Sequence, residues 1–400
     1  MDKTKNIAIV GAGINGMFCA YYLLKSGNNV TIIDKDREGL TSKNNAGLLT
    51  PSLSPIPKVS NLDMIKAMTI GNGALYISPY QIIKNSNWFI KAGKYINKEY
   101  NMEKFVDLGM KSLELYREFL NKEKIDADLI NGVAALYKNE EEAKILSKKY
   151  NGKFINQKQI NESGYQNFSG GILFDKEMSV NPVKLFDALR NKINEMGSRI
   201  VLGNEAKLIL GQSGNAISYI EAGGEKIKAD KYVIASGSWS NALSKPVKYN
   251  PHIIPARGFA ILFSTDNNKI VSMPSLLEDY GIAVAQHNKN LVRITSFFEL
   301  VGTKNNLEEK RKKWLLNIIK SHLKEYNKMK IISINYGFRP CTPNNLPVIG
   351  KVNENVFVAS GQCRLGVTLA PITGYIITQL INNNDKNVKK YKWLENFVRN

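Results

Sequence analysis

The stretch Lys5–Asp34, KNIAIVGAGINGMFCAYYLLKSGNNVTIID, decides how this chain is read. Its apolar run up to Val10 predicts a strand, Gly11 to Gly16 a tight turn, and Met17 to Lys25 an apolar-periodic helix that stops at Gly27. Asn29 to Ile33 predicts a second strand closing on Asp34. That order is a βαβ unit. In Gly11-Ala12-Gly13-Ile14-Asn15-Gly16 the first glycine permits the turn, the second lets a pyrophosphate approach the backbone, and the third lets helix and strand pack closely. The pyrophosphate then rests on the helix N-terminus, where unpaired N–H groups and the helix dipole favour an anion. Glycines at this spacing are weak by themselves, but Asp34 stands near the expected ribose-binding distance of about 20 residues further on. The pattern predicts an adenine dinucleotide.

The 400 residues predict two or three domains of ordinary size, with 43% hydrophobic and 22% charged residues, the balance of a globular protein. The longest apolar stretch, Val367 to Ile381, is interrupted by Pro371, Thr373 and Gly374 and falls short of the roughly 20 residues a membrane-spanning helix needs. Lys3 and Lys5 run directly into a strand, a pattern that predicts no signal peptide and a cytoplasmic protein. Cys19, Cys341 and Cys363 are too few and too far apart for a disulfide scaffold and form no CxxC pair, so they read as buried or incidental thiols, and no metal site is expected. The net charge of +20 is spread over scattered lysines that often neighbour Asn. It points away from nucleic acid and leaves peripheral contact with the cytoplasmic membrane face open.

Further along, Thr41 to Ser60 predicts an extended loop, and helices are expected from Phe105 to Glu123, Glu140 to Tyr150 and Asn181 to Met196, the last opened by Pro182. Short strands are expected at Val133–Tyr137, Gly171–Phe174 and Ile253–Phe263, with a hairpin formed by Gly281–Ala285 and Leu291–Ser296. Strands suited to a nucleotide-binding sheet recur near 7, 200, 231 and 356. The expected architecture is therefore α/β with α+β character, a Rossmann-like domain on a central parallel sheet interleaved with a mostly antiparallel one. The boundaries read as 1–78, 165–240 and 336–400 for the first, and 79–164 and 241–335 for the second. A polar loop, Thr41 to Gly47, and a late Gly-rich segment favour an elongated cofactor touching several chain regions, and hence FAD over NAD.

Six segments, IVGAGINGMFCAYYLLKSGNNVTIID, SKNNAGLLTPS, MSVNPVKLFDAL, ADKYVIASGSWS, GFRPCTPNNLPVIG and FVASGQCRLGVTLAPITGYIITQLI, occur in the order seen in the D-amino-acid oxidase superfamily of flavoproteins. The chain most resembles its D-amino-acid dehydrogenase branch, related to glycine and sarcosine oxidases. The resemblance implies that Gly11, Ala12, Gly13, Ile14, Asn15 and Gly16 meet the pyrophosphate and that Asp34, with Lys35, meets the adenosine. It places Thr41, Ser42, Asn45, Ala46, Gly47 and Leu48 on the path to the isoalloxazine, Ala206 near adenine, and Ser236, Gly237 and Trp239 at the cofactor's border. Gly361, Arg364, Leu365, Gly366, Val367 and Thr368 would lie along the flavin ring.

By the same resemblance Arg339 grips the substrate carboxylate, a task suited to a rigid two-donor guanidinium. Tyr336 and Tyr280 are expected near the substrate, and Gln362 stands where relatives often carry His. His252, His287 and His322 read as structural or solvated. The implied reaction moves hydride from the donor's α-carbon to flavin N5, leaving an imino acid that water hydrolyses. The expected substrate is a small amino acid or imino acid, D-proline among the options, and the expected acceptor a quinone or dye. The alternatives are an O2-using oxidase of glycine, sarcosine or an imino acid, and a flavin-bearing subunit of a larger dehydrogenase. Cys341 does not align with the position where one relative attaches flavin covalently, and Cys363 lies in another segment, so the FAD is expected to be non-covalent.

Overall fold

The computed structural model describes residues 4–36, 39–53, 73–95, 102–212 and 216–397. Residues 54–60 of the expected loop lie outside that range. Within it the loop contains a short helical turn, Leu40–Lys43, and a two-residue strand, Leu48–Leu49.

The strands, in chain order, are β1 (Asn6–Val10), β2 (Asn29–Asp34), β3 (Leu48–Leu49), β4 (Leu75–Ile77), β5 (Ile130–Tyr137), β6 (Lys153–Asn156), β7 (Gly170–Ser179), β8 (Arg199–Leu202), β9 (Lys207–Leu210) and β10 (Ile217–Ala222). They continue with β11 (Glu225–Ile227), β12 (Lys231–Ile234), β13 (Ile254–Ser264), β14 (Ser275–Leu277), β15 (Ile282–Asn288), β16 (Leu291–Leu300), β17 (Lys330–Cys341), β18 (Val348–Lys351) and β19 (Val356–Ser360). The main helices are α1 (Ile14–Lys25), α2 (Pro79–Lys84), α3 (Ser86–Gly93), α4 (Met102–Lys122), α5 (Glu140–Lys149), α6 (Pro182–Glu195), α7 (Glu309–His322) and α8 (Ala370–Ile381).

Among the described residues one sheet has six strands in the order β18-β19-β12-β1-β2-β8. All its pairs are parallel except β18 with β19. The strands near 7, 200, 231 and 356 therefore do share a sheet, and the mixed α/β reading holds. β1 is buried along Ile7 to Val10, as a central parallel strand with both faces covered should be. On one face α1 packs through Phe18, whose ring meets Tyr116 and Phe119 of α4 edge-on at centroid distances of 5.3 and 5.2 Å. The aromatic contacts fix the helix whose first turn forms the site described below.

A second, larger sheet runs β17-β13-β16-β15-β14-β5-β7-β3, with β4 on β16 and β6 on β7. The hairpin expected at 281–296 is β15–β16, extended to Asn288 and Leu300. Every ladder partner of β7 lies in this larger sheet, although the boundary read at 165 assigns those residues to the parallel domain. The MSVNP segment misleads because its strand belongs to one sheet while the helix it leads into, α6, packs beneath the other, on α1. Inside the larger sheet Glu299 is fully buried and held by Arg257, 2.5 Å away, and by Arg311, also 2.5 Å away. This pairing ties β13, β16 and α7 together.

β7 also carries Glu177, which is 1% exposed. One carboxylate oxygen accepts the Ser52 N–H at 2.7 Å, and the other has no partner among the described residues. Burial pushes its pKa up to about 7, against the opposing pull of Ser52. A carboxyl raised in the folded state favours folding below its unfolded pKa, and that advantage is lost as pH climbs through about 7. Glu177→Gln should therefore gain stability over the wild type between pH 5 and 8, by up to roughly 3 kcal/mol. Thermal melts across that range check it, and a gap in Tm that stays constant with pH would refute it.

Candidate active site

The C-terminal ends of β1, β2 and β12 open onto a cavity of about 460 Å³. Gly11, Gly13, Ile14 and Asn15 line it together with Arg339, Gln362 and Arg364, and the Asn15 side-chain amide donates to the Gly366 carbonyl at 3.2 Å. Gly11 has φ +118°, a conformation only glycine adopts readily. A Cβ on Gly16 would land on the Gly11 carbonyl oxygen, so this glycine is required for the turn to close on the helix. A Cβ on Gly13, in contrast, would approach only the Ser42 hydroxyl, at 3.4 Å, and otherwise point into the cavity.

α1 begins at Gly13 without a side-chain cap. The Ile14 N–H donates to Ser42 Oγ at 2.9 Å, and the Asn15 side-chain oxygen is buried without a partner among the described residues. An uncapped helix start beside an orphaned acceptor fits a ligand that brings both phosphate oxygens and hydroxyl donors, as a dinucleotide does. Asp34 accepts the Ala12 N–H at 2.5 Å and the Asp36 N–H at 2.9 Å, which secures the glycine turn to the end of β2. Burial raises its pKa, and those two N–H groups oppose the rise.

Lys35, Thr41, Ser42, Asn45, Ala206, Ser236, Gly237, Trp239, Gly366 and Val367 also line the cavity, and Lys35 Nζ sits 3.8 Å above the Trp239 ring. Other expected residues support the wall from behind. Gly16 packs on Gly11, and Gly47 takes φ +75° against the Val180 carbonyl. Leu48 pairs with Ser179, and Leu365 and Thr368 are buried in the core. Gly361 is held at φ +82° against Thr342 and Val348, and neither it nor Ala46 lines the cavity.

Arg339 projects from β17 across Gly258 of β13, where any Cβ would collide with the guanidinium. Its Nη1 donates to the Phe297 carbonyl at 2.7 Å, fixing the plane of the group. Burial and the neighbouring Arg364 lower its pKa to about 10, with Glu299 opposing, so it stays cationic at neutral pH. Arg364 lines the same cavity, and desolvation of its guanidinium lowers its pKa while Glu278 opposes the fall. Burial raises the Glu278 carboxyl to about 7 despite Arg364. Two guanidiniums thus line this cavity, and the Glu278 carboxyl acts on one of them, Arg364.

The two tyrosines expected at the substrate do not line this cavity. The Tyr280 hydroxyl is 3.2 Å from His322 Nε2 and its ring packs edge-on against that imidazole. Tyr336 is 39% exposed, with its hydroxyl 3.4 Å from the Asn305 side chain. Proximity in sequence to Arg339 does not place it, because residues three apart on a strand such as β17 face opposite sides.

The cysteine reading also needs correction, since Cys341 and Cys363 form a disulfide and Cys19 alone is free. Twenty-two residues separate them, but the β17 terminus folds back so that Cys341 pairs with Gln362 in an isolated bridge. The bond fastens the strand carrying Arg339 to the segment carrying Gln362 and Arg364. Dithiothreitol, or Cys341→Ser with Cys363→Ser, should cost about 3 kcal/mol by the loop-entropy relation. A lower Tm in reductant, absent in the double variant, checks this; an unchanged Tm would contradict it.

Sequence reasoning missed Glu205, Lys207, Ser238 and Phe338 on the cavity wall, Gly258 beneath Arg339, and Glu278 beside Arg364. Glu278 meets Arg364 across 86 residues of chain, and such long-range pairing carries no mark in a single sequence.

Comparison with known proteins gives the family. The family model described as DAO, FAD dependent oxidoreductase, matches residues 6–380. The chain belongs to the DAO family of FAD-dependent oxidoreductases. Among curated relatives of this DAO chain, a D-amino acid dehydrogenase of Helicobacter pylori (strain ATCC 700392 / 26695) is 29% identical, with 96% of this chain and 97% of the relative covered. One of Vibrio atlanticus (strain LGP32) is 26% identical over the same shares. Glycine oxidase from Bacillus cereus ATCC 14579 shares the DAO fold with a TM-score of 0.75 at 17% identity, covering 95% of this chain and 98% of that one.

Proposed function

We propose that this chain is an amino-acid dehydrogenase that oxidises D-amino acids, cyclic imino acids such as D-proline included, and passes the electrons to a quinone or dye. The observation that carries the reading is Arg339, a half-buried guanidinium fixed by the Phe297 carbonyl and lining the same cavity as the glycine turn. Relatives that carry the name D-amino acid dehydrogenase over nearly the whole chain support the choice of donor.

Bound FAD would supply the two-electron oxidation of the donor's C–N unit. The chain's own residues do the rest. Arg339 takes the carboxylate in a two-point, charge-assisted contact and so fixes the α-carbon. The Phe297 carbonyl and Gly258 hold that guanidinium in one orientation. Glu278, with a carboxyl near pH 7 balance, offsets the charge of Arg364 and can hold a proton at its carboxylate oxygen. Water then hydrolyses the released imino acid to a 2-oxo acid and ammonia or, for a cyclic donor, to a ring-opened amino-2-oxo acid.

The cofactor is non-covalent in this reading, because Cys341 and Cys363 are bonded to each other and Cys19 is buried. The parallel sheet with its helices forms the FAD-binding domain, and the larger sheet forms the substrate domain. The test is a paired assay of D- and L-amino acids with a soluble quinone analogue under argon and with air as acceptor. Turnover of D-amino acids with the quinone, without peroxide in air, is expected. Peroxide at matching rates would make the chain an oxidase, and preference for the L-series would overturn the stereochemistry.

A further inference from the structure

We infer that helices α2 and α3 form a docking face for the surface of an anionic phospholipid bilayer. Three large apolar side chains are exposed within eleven residues: Tyr80 at 65%, Ile83 at 78% and Ile90 at 66%. The two helices follow one another with a single residue, Asn85, between them. Tyr80 and Ile83 on α2, and Asn87 and Ile90 on α3, each recur at helical spacing on an outward stripe, and all four are exposed. The inward side is a different set. Ile82, Trp88 and Phe89 pack on Ile77, Ile254, Ala256 and Leu300, and Trp88 Nε1 donates to the Cys341 carbonyl at 3.2 Å. The outer apolar residues are thus not needed for the core, and exposed apolar groups clustered on one face mark an interaction surface.

Charge identifies the occupant. From Gly73 to Tyr95, the described span that contains both helices, there are three lysines, Lys84, Lys91 and Lys94, and no aspartate or glutamate. Lys84 and Lys94 flank the stripe in the open, and Lys91 lies 2.8 Å from His252 Nε2 at its border. A second copy would set two cationic faces against each other on chains that each carry a net charge of +20. An anionic lipid surface satisfies both features, taking the lysines at its headgroups and the apolar side chains at the acyl boundary. No helix among the described residues is long and apolar enough to cross a membrane, so the contact is peripheral.

The inner side of these helices leans on the Cys341–Cys363 link, and Cys363 lines the cavity. Docking would therefore bring the cavity wall to the bilayer, which suits a lipid-dissolved acceptor; that last step rests on the function proposed above, whereas the docking does not.

Co-sedimentation of the full FAD-loaded protein with vesicles of phosphatidylglycerol and phosphatidylcholine, compared with phosphatidylcholine alone, tests it without any substrate. Binding to the anionic vesicles that weakens in salt is expected. Ile83→Glu with Ile90→Glu should lower it about tenfold or more, while dye-linked turnover stays at the wild-type level. Lys84→Glu with Lys94→Glu should act in the same direction and serves as the second variant should the first fold poorly. Wild-type protein that ignores anionic vesicles overturns the inference, as do variants that bind like the wild type. So does a dimer in size-exclusion chromatography that the isoleucine variant dissolves.

Discussion

Arg339→Ala lowers kcat/KM for an amino-acid donor by roughly thirty- to several-thousandfold, the ~2–5 kcal/mol expected when one partner of a buried, hydrogen-bonded charge pair is cut away. FAD remains bound, because the glycine turn is held by Asp34 and Ser42 and not by Arg339. The loss falls on binding and on positioning together, so KM rises and kcat falls. Arg339→Lys keeps the charge but not the planar fork and should recover only part of the rate. Gly258→Ala offers an independent check, since its Cβ would displace the Arg339 guanidinium without removing it. Steady-state kinetics with a dye acceptor measure all three, and an Arg339→Ala enzyme with unchanged kcat/KM would remove the arginine from the site.

Gly13→Val should give a folded protein that purifies without flavin. The new side chain meets only the Ser42 hydroxyl among protein atoms and otherwise fills the space above the helix start. Overfilling a packed contact costs about 1–3 kcal/mol, or roughly five- to more than a hundredfold in FAD affinity, before any lost hydrogen bond is added. Gly16→Ala is the contrasting case, because its Cβ collides with the Gly11 carbonyl and damages the turn itself. The first variant should keep its circular dichroism and lose flavin absorbance; the second should lose both. Full flavin occupancy in Gly13→Val would mean that the cofactor does not approach this turn.

The contrast between these glycines shows how far the sequence could be read. The glycine turn, β1, α1 and β2 were legible because their pattern is local: apolar runs, a stop at Gly27 and an acid at the end of the second strand. Arg339 was found through resemblance, and its sequence context could not show that Gly258, 81 residues earlier, clears the space for it. Tyr336 looked equally placed, yet strand position turned it outward to Asn305. The disulfide was missed for the same reason, since Cys341 and Cys363 meet only once β17 folds back on the Gln362 segment. Long-range pairing in a sheet leaves no spacing signal in one chain.

The role of Arg339 at a flavin-bearing cavity is tested most directly by anaerobic titration of the FAD-loaded protein, following flavin absorbance. A D-amino acid should bleach the flavin and yield one 2-oxo acid for each flavin reduced, while the matching amine without a carboxylate should leave it oxidised. Flavin that stays oxidised through the whole panel, or that the amine bleaches as fast as the amino acid, would contradict the account.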